Sequence, residues 1–325
     1  MRAIHISNPG RDYSLLLAQE PRPVPGRGQV LIAVAAAGLN NADLLQARGF
    51  YPPPPGASPI LGLEVSGTIA ALGQDVERMS VGDPVCALLS GGGYADYALA
   101  DAGSVLPVPA GMELVAAAGL PEAAFTAWTN IVDTGRLAPS ETLLVHGGTS
   151  GIGSLAIQIF AGLGHRVFAT VGSDEKCDTA RKLGAARAIN YRAEDFVAAV
   201  KDETGGMGVD VILDMVGGDY VQRNIDAAAI GGRIVNIAYQ KGFKTEVNFA
   251  PVLAKRLTLG ATTLRPRTDI EKQAIRDALL ETVWPLMGSK IQPVVAREFA
   301  LDQAQQAHEF MAKTGHIGKI LLRMA

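Results

Sequence analysis

Residues 143–159, "LLVHGGTSGIGSLAIQI", place Gly148, Ser150 and Gly153 in a short turn between an apolar run and a helical stretch. Three chemistries use turns of this kind. A P-loop needs a lysine after its second glycine, but Ser154 stands there, so the cation for a β,γ-phosphate is missing. A nucleophile elbow needs Gly-x-Ser-x-Gly, but the last position around Ser150 is Ile152, and no acid–histidine pairing is legible beside it. The dinucleotide fingerprint Gly-x-Gly-x-x-Gly matches at Gly148 and Gly153, with Ser150 in the middle position. In that reading the backbone of Ser150, Gly151 and Ile152 donates to a pyrophosphate at a helix N-terminus, and Gly153 lets the helix sit close to the sheet. The bland alternative is a tight turn with no ligand.

The choice of dinucleotide falls after the next strand. NAD binders usually place an acid about 20 residues past the glycines to take the ribose hydroxyls. Here "RVFATVGSDEK" ends in Val171, Gly172 and Ser173, small residues that leave room for a 2′-phosphate. Ser173 can donate to it, Lys176 can reach it from the first helical turn, and Tyr191 can approach from the end of the third strand. Asp174 and Glu175 weigh against this, although acids in a first turn are also favoured by the helix dipole. NADPH is therefore expected over NADH.

These residues need a scaffold. From Thr142 to Leu264, apolar runs alternate with amphipathic stretches: "TLLV", "RVFATV", "ARAINY", "VDVILDMV", "GRIVNIA" and "LTLGATTL", with helices from Gly151, Asp174, Ala193, Asp219 and near Phe249. Runs rich in Val, Ile and Leu fit buried parallel strands, and the alternation predicts a doubly wound α/β sheet with its ligand at the carboxyl ends of the strands. The first 110 or so residues differ: short alternating runs broken by Pro, Gly and Asp predict a β-rich, barrel-like domain, with one helix near Asn41. After Leu264 come a helix over "TDIEKQAIRDALLETVW", a strand in "QPVVAREFAL", a helix over "AQQAHEFMAKTG" and a strand "GKILLR". The predicted domains are 1–120, rejoined by 268–325, and 121–267. The 325 residues carry a net charge of −3, which gives no reason to expect nucleic acid or an anionic membrane as partner. The cysteines, Cys86 and Cys177, form no metal or redox spacing, and no leader or apolar run near 18 residues is present, so a cytoplasmic location is the default.

The whole pattern resembles the medium-chain dehydrogenase/reductase superfamily, in which a GroES-like β-barrel catalytic domain built from both chain ends flanks a Rossmann domain. "GLNNADLLQARGFYPPPPG", "ILGLEVSG", "SVGDPVCALL", "GGGYADYALA" and "HIGKILL" carry the likeness. The branch it is most similar to is the zinc-free quinone oxidoreductases, especially the tumour-suppressor-inducible type, with zeta-crystallin more distant. The zinc alcohol dehydrogenases carry a Cys ligand where this chain has Asn40, and Gly-His-Glu where it has Gly62-Leu63-Glu64. Neither Asn40 nor Leu63 can serve as that ligand, so no metal is expected.

Without a Lewis acid a simple ketone is hard to activate, whereas a quinone or an α,β-unsaturated carbonyl needs only a hydrogen-bond donor near its oxygen. The resemblance offers Tyr51 as that donor or as a positioning group, and Asn40 beside the nicotinamide in the same cleft. Packing alone also accounts for a half-buried tyrosine. By resemblance, further cofactor contacts fall on Thr126, Val216, Ala238, Tyr239, Leu264, Arg265 and Lys319. The implied activity is NADPH-dependent reduction of quinones. Alternatives are an enone or enoyl-thioester reductase, and an NADPH-binding structural or RNA-binding protein of the zeta-crystallin kind. The sixth strand, residues 257–264, is an expected sheet edge, and relatives join it to a second copy, so a homodimer is expected.

Overall fold

The computed structural model describes residues 1–313 and 315–324. The chain divides into two compact units, residues 1–125 with 264–325, and residues 126–263.

The first unit opens with an antiparallel hairpin, β1 (Arg2–Ser7) and β2 (Ser14–Gln19). Next come β3 (Gln29–Gly38), α1 (Asn41–Ala47), β4 (Glu64–Leu72), β5 (Pro84–Leu88), β6 (Tyr97–Asp101) and β7 (Val105–Pro107). The division falls within α2 (Pro121–Trp128).

The second unit alternates strand and helix: β8 (Thr142–His146), α3 (Gly151–Gly162), β9 (Arg166–Val171), α4 (Asp174–Lys182), β10 (Arg187–Asn190), α5 (Phe196–Glu203) and β11 (Val209–Asp214). It continues with α6 (Tyr220–Ala227), β12 (Ala228–Asn236), α7 (Ala250–Lys255) and β13 (Thr258–Ala261). The chain then returns to the first unit with α8 (Asp269–Thr282), β14 (Val295–Ala300), α9 (Ala304–Ala312) and β15 (Lys319–Arg323).

The first unit's main sheet runs β14-β15-β3-β4-β5-β7, with β6 also on β3. Valines and isoleucines from several of these strands (Val30, Ile32, Val65, Ile69, Val85, Ile320) share one buried cluster, which takes in the last strand together with the first ones. β15 pairs antiparallel with β3, Leu321 opposite Gly38, and the Leu39 amide donates to the Ile320 carbonyl at 2.9 Å. This register brings Lys319, first in β15, to Asn40, just past β3.

The second unit's sheet is parallel throughout, in the order β10-β9-β8-β11-β12-β13. Counted within the unit, that is 3-2-1-4-5-6. The order reverses between β8 and β11, and the turns leaving their carboxyl ends flank the crevice where such sheets bind ligands.

Two boundaries differ from the sequence expectation. α5 starts at Phe196 rather than Ala193, because Asp195 is the residue whose side chain accepts from the Ala198 amide, at 2.9 Å. β13 covers only Thr258–Ala261, and pairing with β12 ends as the Thr262 amide meets the Asn236 carbonyl. Thr314, within the expected last helix, lies outside the described residues.

Candidate functional site

The glycine turn leaves β8 and enters α3. The Ser150 side chain accepts from the Gly153 amide at 3.0 Å and so caps the helix. A Cβ on Gly153 would lie 2.2 Å from the Gly147 carbonyl oxygen, and one on Gly148 2.7 Å from the Ala169 side chain. Only glycine fits at either place. One sequence expectation is corrected here. The Ser150 amide does not face outward for a pyrophosphate, because it closes the turn onto the Gly147 carbonyl at 2.9 Å. The Gly151 and Ile152 amides have no acceptor among the described residues, as first-turn amides of a helix do not. They form an anion seat at a helix N-terminus, so the turn fits a dinucleotide pyrophosphate.

At the end of β9, Ser173 caps α4, its hydroxyl oxygen accepting from the Lys176 amide at 3.3 Å and keeping its own hydrogen to donate. The Tyr191 hydroxyl stands over Gly172, where a Cβ would come within 2.8 Å of it. Burial, and then the charge of Arg192, lower the pKa of Lys176. The structure thus gathers Ser173, Lys176 and Tyr191, and adds Arg192, a cation that sequence reasoning passed over. Asp174 is turned to Asn190, whose side-chain amide donates to it at 2.8 Å.

The loops after β11 and β12 are stitched together. The Lys241 amide donates to the Val216 carbonyl at 2.8 Å, and a Cβ on Gly217 would meet the Tyr239 ring at 2.6 Å. Val216, Ala238 and Tyr239 are each half-buried there. Beneath them Asp214 is fully buried and accepts from the Val216 amide at 2.6 Å and from the side-chain amides of Asn224 and Asn236 at 3.0 and 2.8 Å. Since the carboxylate only accepts, Asn224 turns its oxygen to His146 Nε2 at 2.7 Å, which therefore carries the proton. Nδ1 then takes the Thr170 hydroxyl at 2.8 Å. Burial lowers the pKa of His146, favouring this neutral tautomer. The network ties the carboxyl ends of four strands together, and none of the side chains in it was picked from the sequence. Thr126 is buried, its carbonyl accepting from the Asn130 side-chain amide at 2.8 Å.

In the first unit a buried polar cluster forms around Asn40. Its side-chain amide donates to Glu64 Oε1 at 2.9 Å and its Oδ1 accepts from Lys319 Nζ at 2.7 Å, while Lys319 pairs directly with Glu64. The other Glu64 oxygen takes the Glu122 amide at 2.9 Å. Asp43 accepts from the Asn40 and Gly62 amides at 2.8 and 3.0 Å, yet burial pushes its carboxyl up to about 6. Two expectations change as a result. Asn40 is 8% exposed and held at both ends of its amide, and Lys319, 4% exposed, spends its charge on Glu64 rather than presenting it to a cofactor.

Arg265 also differs from expectation. Its buried guanidinium donates to the Ser90 carbonyl from Nε at 2.9 Å and Nη2 at 2.7 Å, and lies 5.4 Å from the centre of the Tyr51 ring. It packs against Tyr51, and Leu264 beside it is buried. The Tyr51 phenol is half-buried, and desolvation, with Glu122 adding to it against Arg265, raises its pKa. It remains a hydrogen-bond donor through neutral pH.

The donor chemistry around Asn40 does not fit a zinc ion. Leu63 is an apolar core residue, and the Glu64 oxygen nearest Asn40 is neutralised by an ammonium. Among the described residues no group of three His, Cys, Asp or Glu is arranged to hold a metal.

Residues 26–110 match the alcohol dehydrogenase GroES-like domain family and residues 151–279 the zinc-binding dehydrogenase family. The chain is 30% identical over 98% of its length to a mycocerosic acid synthase-like polyketide synthase of Mycolicibacterium smegmatis, but spans only 15% of that protein. It is similar in structure to Escherichia coli quinone oxidoreductase complexed with NADPH (28% identity, 99% of both chains, TM-score 0.85). It is also similar to CurK enoyl reductase (27% identity, 100% of this chain and 99% of that one, TM-score 0.86). With its 3-2-1-4-5-6 parallel sheet, its glycine turn and a GroES-like unit made from both chain ends, this chain belongs to the medium-chain dehydrogenase/reductase superfamily of pyridine-nucleotide oxidoreductases.

Proposed function

We propose that this chain is an NADPH-dependent reductase of conjugated carbonyl acceptors, quinones first among them, that works without zinc. The observation that carries this reading is the Asn40–Glu64–Lys319 cluster, whose donors are committed to one another. A simple ketone lacks activation there, whereas a conjugated acceptor spreads the incoming charge and needs one hydrogen bond. Bound NADPH supplies the hydride. Tyr51, packed against Arg265, donates that hydrogen bond to the acceptor oxygen.

A second reading, reduction of enoyl thioesters, draws support from the polyketide synthase relative that matches nearly the whole of this chain, and from CurK enoyl reductase. An NADPH-oxidation screen of ortho- and para-quinones against 2-enones and enoyl thioesters separates the two by the ratio of kcat/KM values. Turnover with none of them would overturn both and leave a non-catalytic NADPH-binding role.

The NADPH preference rests on Ser173, Lys176 and Tyr191, with Arg192 as an added cation. Losing one charge-assisted contact costs roughly 1.5–3 kcal/mol, on the order of tenfold or more in affinity. Lys176→Ala is expected to weaken NADPH binding by that factor in a fluorescence titration and to leave NADH nearly unchanged. Equal losses for both would mean that Lys176 does not read the phosphate.

The homodimer is part of the same proposal. β13 is the terminal strand of its sheet, and Phe249, Leu253 and Leu259 are exposed at or near it (Leu253 at 83%). A bare strand edge with apolar neighbours favours self-pairing about a two-fold axis. Light scattering at micromolar concentration should give twice the chain mass, and a monomer would contradict it. Among the described residues no helix is long and apolar enough to cross a membrane. We place the protein in the cytoplasm, which fractionation of the native host would test.

A further inference from the structure

Glu122 is the one carboxyl of the buried cluster that its neighbours leave free. It is the second residue of α2, and its backbone amide is anchored on Glu64 at 2.9 Å, which fixes where its side chain starts. Glu64 itself is committed to Asn40 and Lys319, and Asp43 to the amides of Asn40 and Gly62. The Glu122 carboxyl has no hydrogen-bond or ion-pair partner among the described residues, and the residue is half-buried rather than sealed. When ionised it shifts the pKa of Tyr51, of Arg265, which packs on the Tyr51 ring, and of Lys272 on α8, so its carboxyl is within electrostatic reach of the phenol assigned to the acceptor oxygen.

We propose that Glu122 is the proton donor of the reaction, acting on the acceptor that Tyr51 positions. This rests on the reductase reading above. The acceptor receives two electrons and one hydrogen nucleus as hydride from the reduced dinucleotide, which is oxidised. The O–H bond of the Glu122 carboxyl then breaks, and its proton forms a new bond to the acceptor's oxygen or α-carbon. The carboxylate left behind recovers a proton from water through its solvent-facing side. Tyr51 keeps its own hydrogen and stabilises the developing charge.

The protonation state suits this role. Burial, together with the charges of Glu64 and Asp43, pushes the Glu122 carboxyl up to about 8, with Lys319 and Arg265 opposing the shift. At neutral pH the group is largely protonated, and it sits near the range where a general acid is most effective. An acid acts in its protonated form, so turnover should hold below about pH 8 and fall as pH rises through it.

The test compares wild type, Glu122→Gln and Glu122→Asp in pH profiles of kcat with a 2-enone and a quinone at saturating NADPH. Glu122→Gln should lower enone turnover at pH 7 by about 10²-fold and remove the alkaline limb. Glu122→Asp should keep a limb. A second readout needs no cofactor. A carboxyl whose pKa rises from 4.5 unfolded to about 8 folded contributes stability below pH 4.5 that is lost as pH climbs to 8. Wild-type Tm should therefore fall over that window more steeply than that of Glu122→Gln, which also shows that the variant folds. If wild type turns over and Glu122→Gln keeps the alkaline limb, the Glu122 assignment is wrong. Parallel Tm profiles for the two proteins would overturn it as well. If wild type reduces no acceptor, the reductase reading fails, and the proposal with it.

Discussion

Replacing Lys319 by methionine is expected to destabilise the first unit by about 3–5 kcal/mol, the usual cost of removing one partner from a buried ion pair. Lys319 and Glu64 are 4% and 0% exposed, so no water can take over the lost bond. The orphaned Glu64 would keep only the Asn40 side chain on one oxygen and the Glu122 amide on the other. The cost therefore reflects a stranded carboxylate more than the worth of the pair. A double variant, Lys319→Met with Glu64→Gln, should recover most of the loss, because the neutral amide needs no cation while Asn40 and the Glu122 amide can still bond it. Urea unfolding followed by tryptophan fluorescence, with Trp284 buried in this unit, measures all three proteins. A single variant within 1 kcal/mol of wild type would mean that the Asn40 side chain and the Glu122 amide hold Glu64 without help from the ammonium.

That cluster also marks where sequence reasoning stops. The second unit was legible because its signal is local. Most of its strands are rich in Val, Ile and Leu, three of its helices start at a capping side chain (Ser150, Ser173 and Asp195), and the glycines of the turn announce close approach. The Ser150 amide was misassigned for a reason on the same scale. Whether a turn amide points outward or closes onto Gly147 depends on a dihedral angle, which residue type leaves open.

In the first unit the decisive contacts are long-range. Lys319 meets Asn40 across 279 positions, and Arg265 meets Ser90 across 175. For both cations a cofactor contact is only what the family resemblance implies, since spacing alone does not single them out. The fold had already provided each with an acceptor from its own unit. The Asp214 network escaped for a related reason. An acid ending the apolar run "VDVILDMV" needs partners, but nothing in the spacing names His146, Asn224 or Asn236 as those partners. Glu122 was overlooked because "LPEAAFTAW" reads as an ordinary helix start, where an acid is favoured by the dipole alone.

Tyr51→Phe tests the remaining step, and its effect should depend on the acceptor. Desolvation raises the pKa of the phenol, so it stays protonated and donates to the acceptor oxygen as negative charge builds there. A hydrogen bond to a charged group is worth about 1.5–3 kcal/mol, which translates to roughly 10- to 10²-fold in rate if it forms only in the transition state. A quinone yields a stabilised hydroquinone anion and should lie near or below the lower end. An enone yields a more basic enolate and should lie near the upper end, with kcat falling and KM little changed. The packing of Arg265 should survive, since its firmest bonds are to the Ser90 carbonyl and the phenyl ring remains in place. The alkaline limb near pH 8 should also survive, because Tyr51→Phe leaves the Glu122 carboxyl intact. Unchanged turnover with both acceptors would reduce Tyr51 to a shaping residue. Loss of the alkaline limb in Tyr51→Phe would instead mean that the proton travels through the phenol, with Glu122 resupplying it.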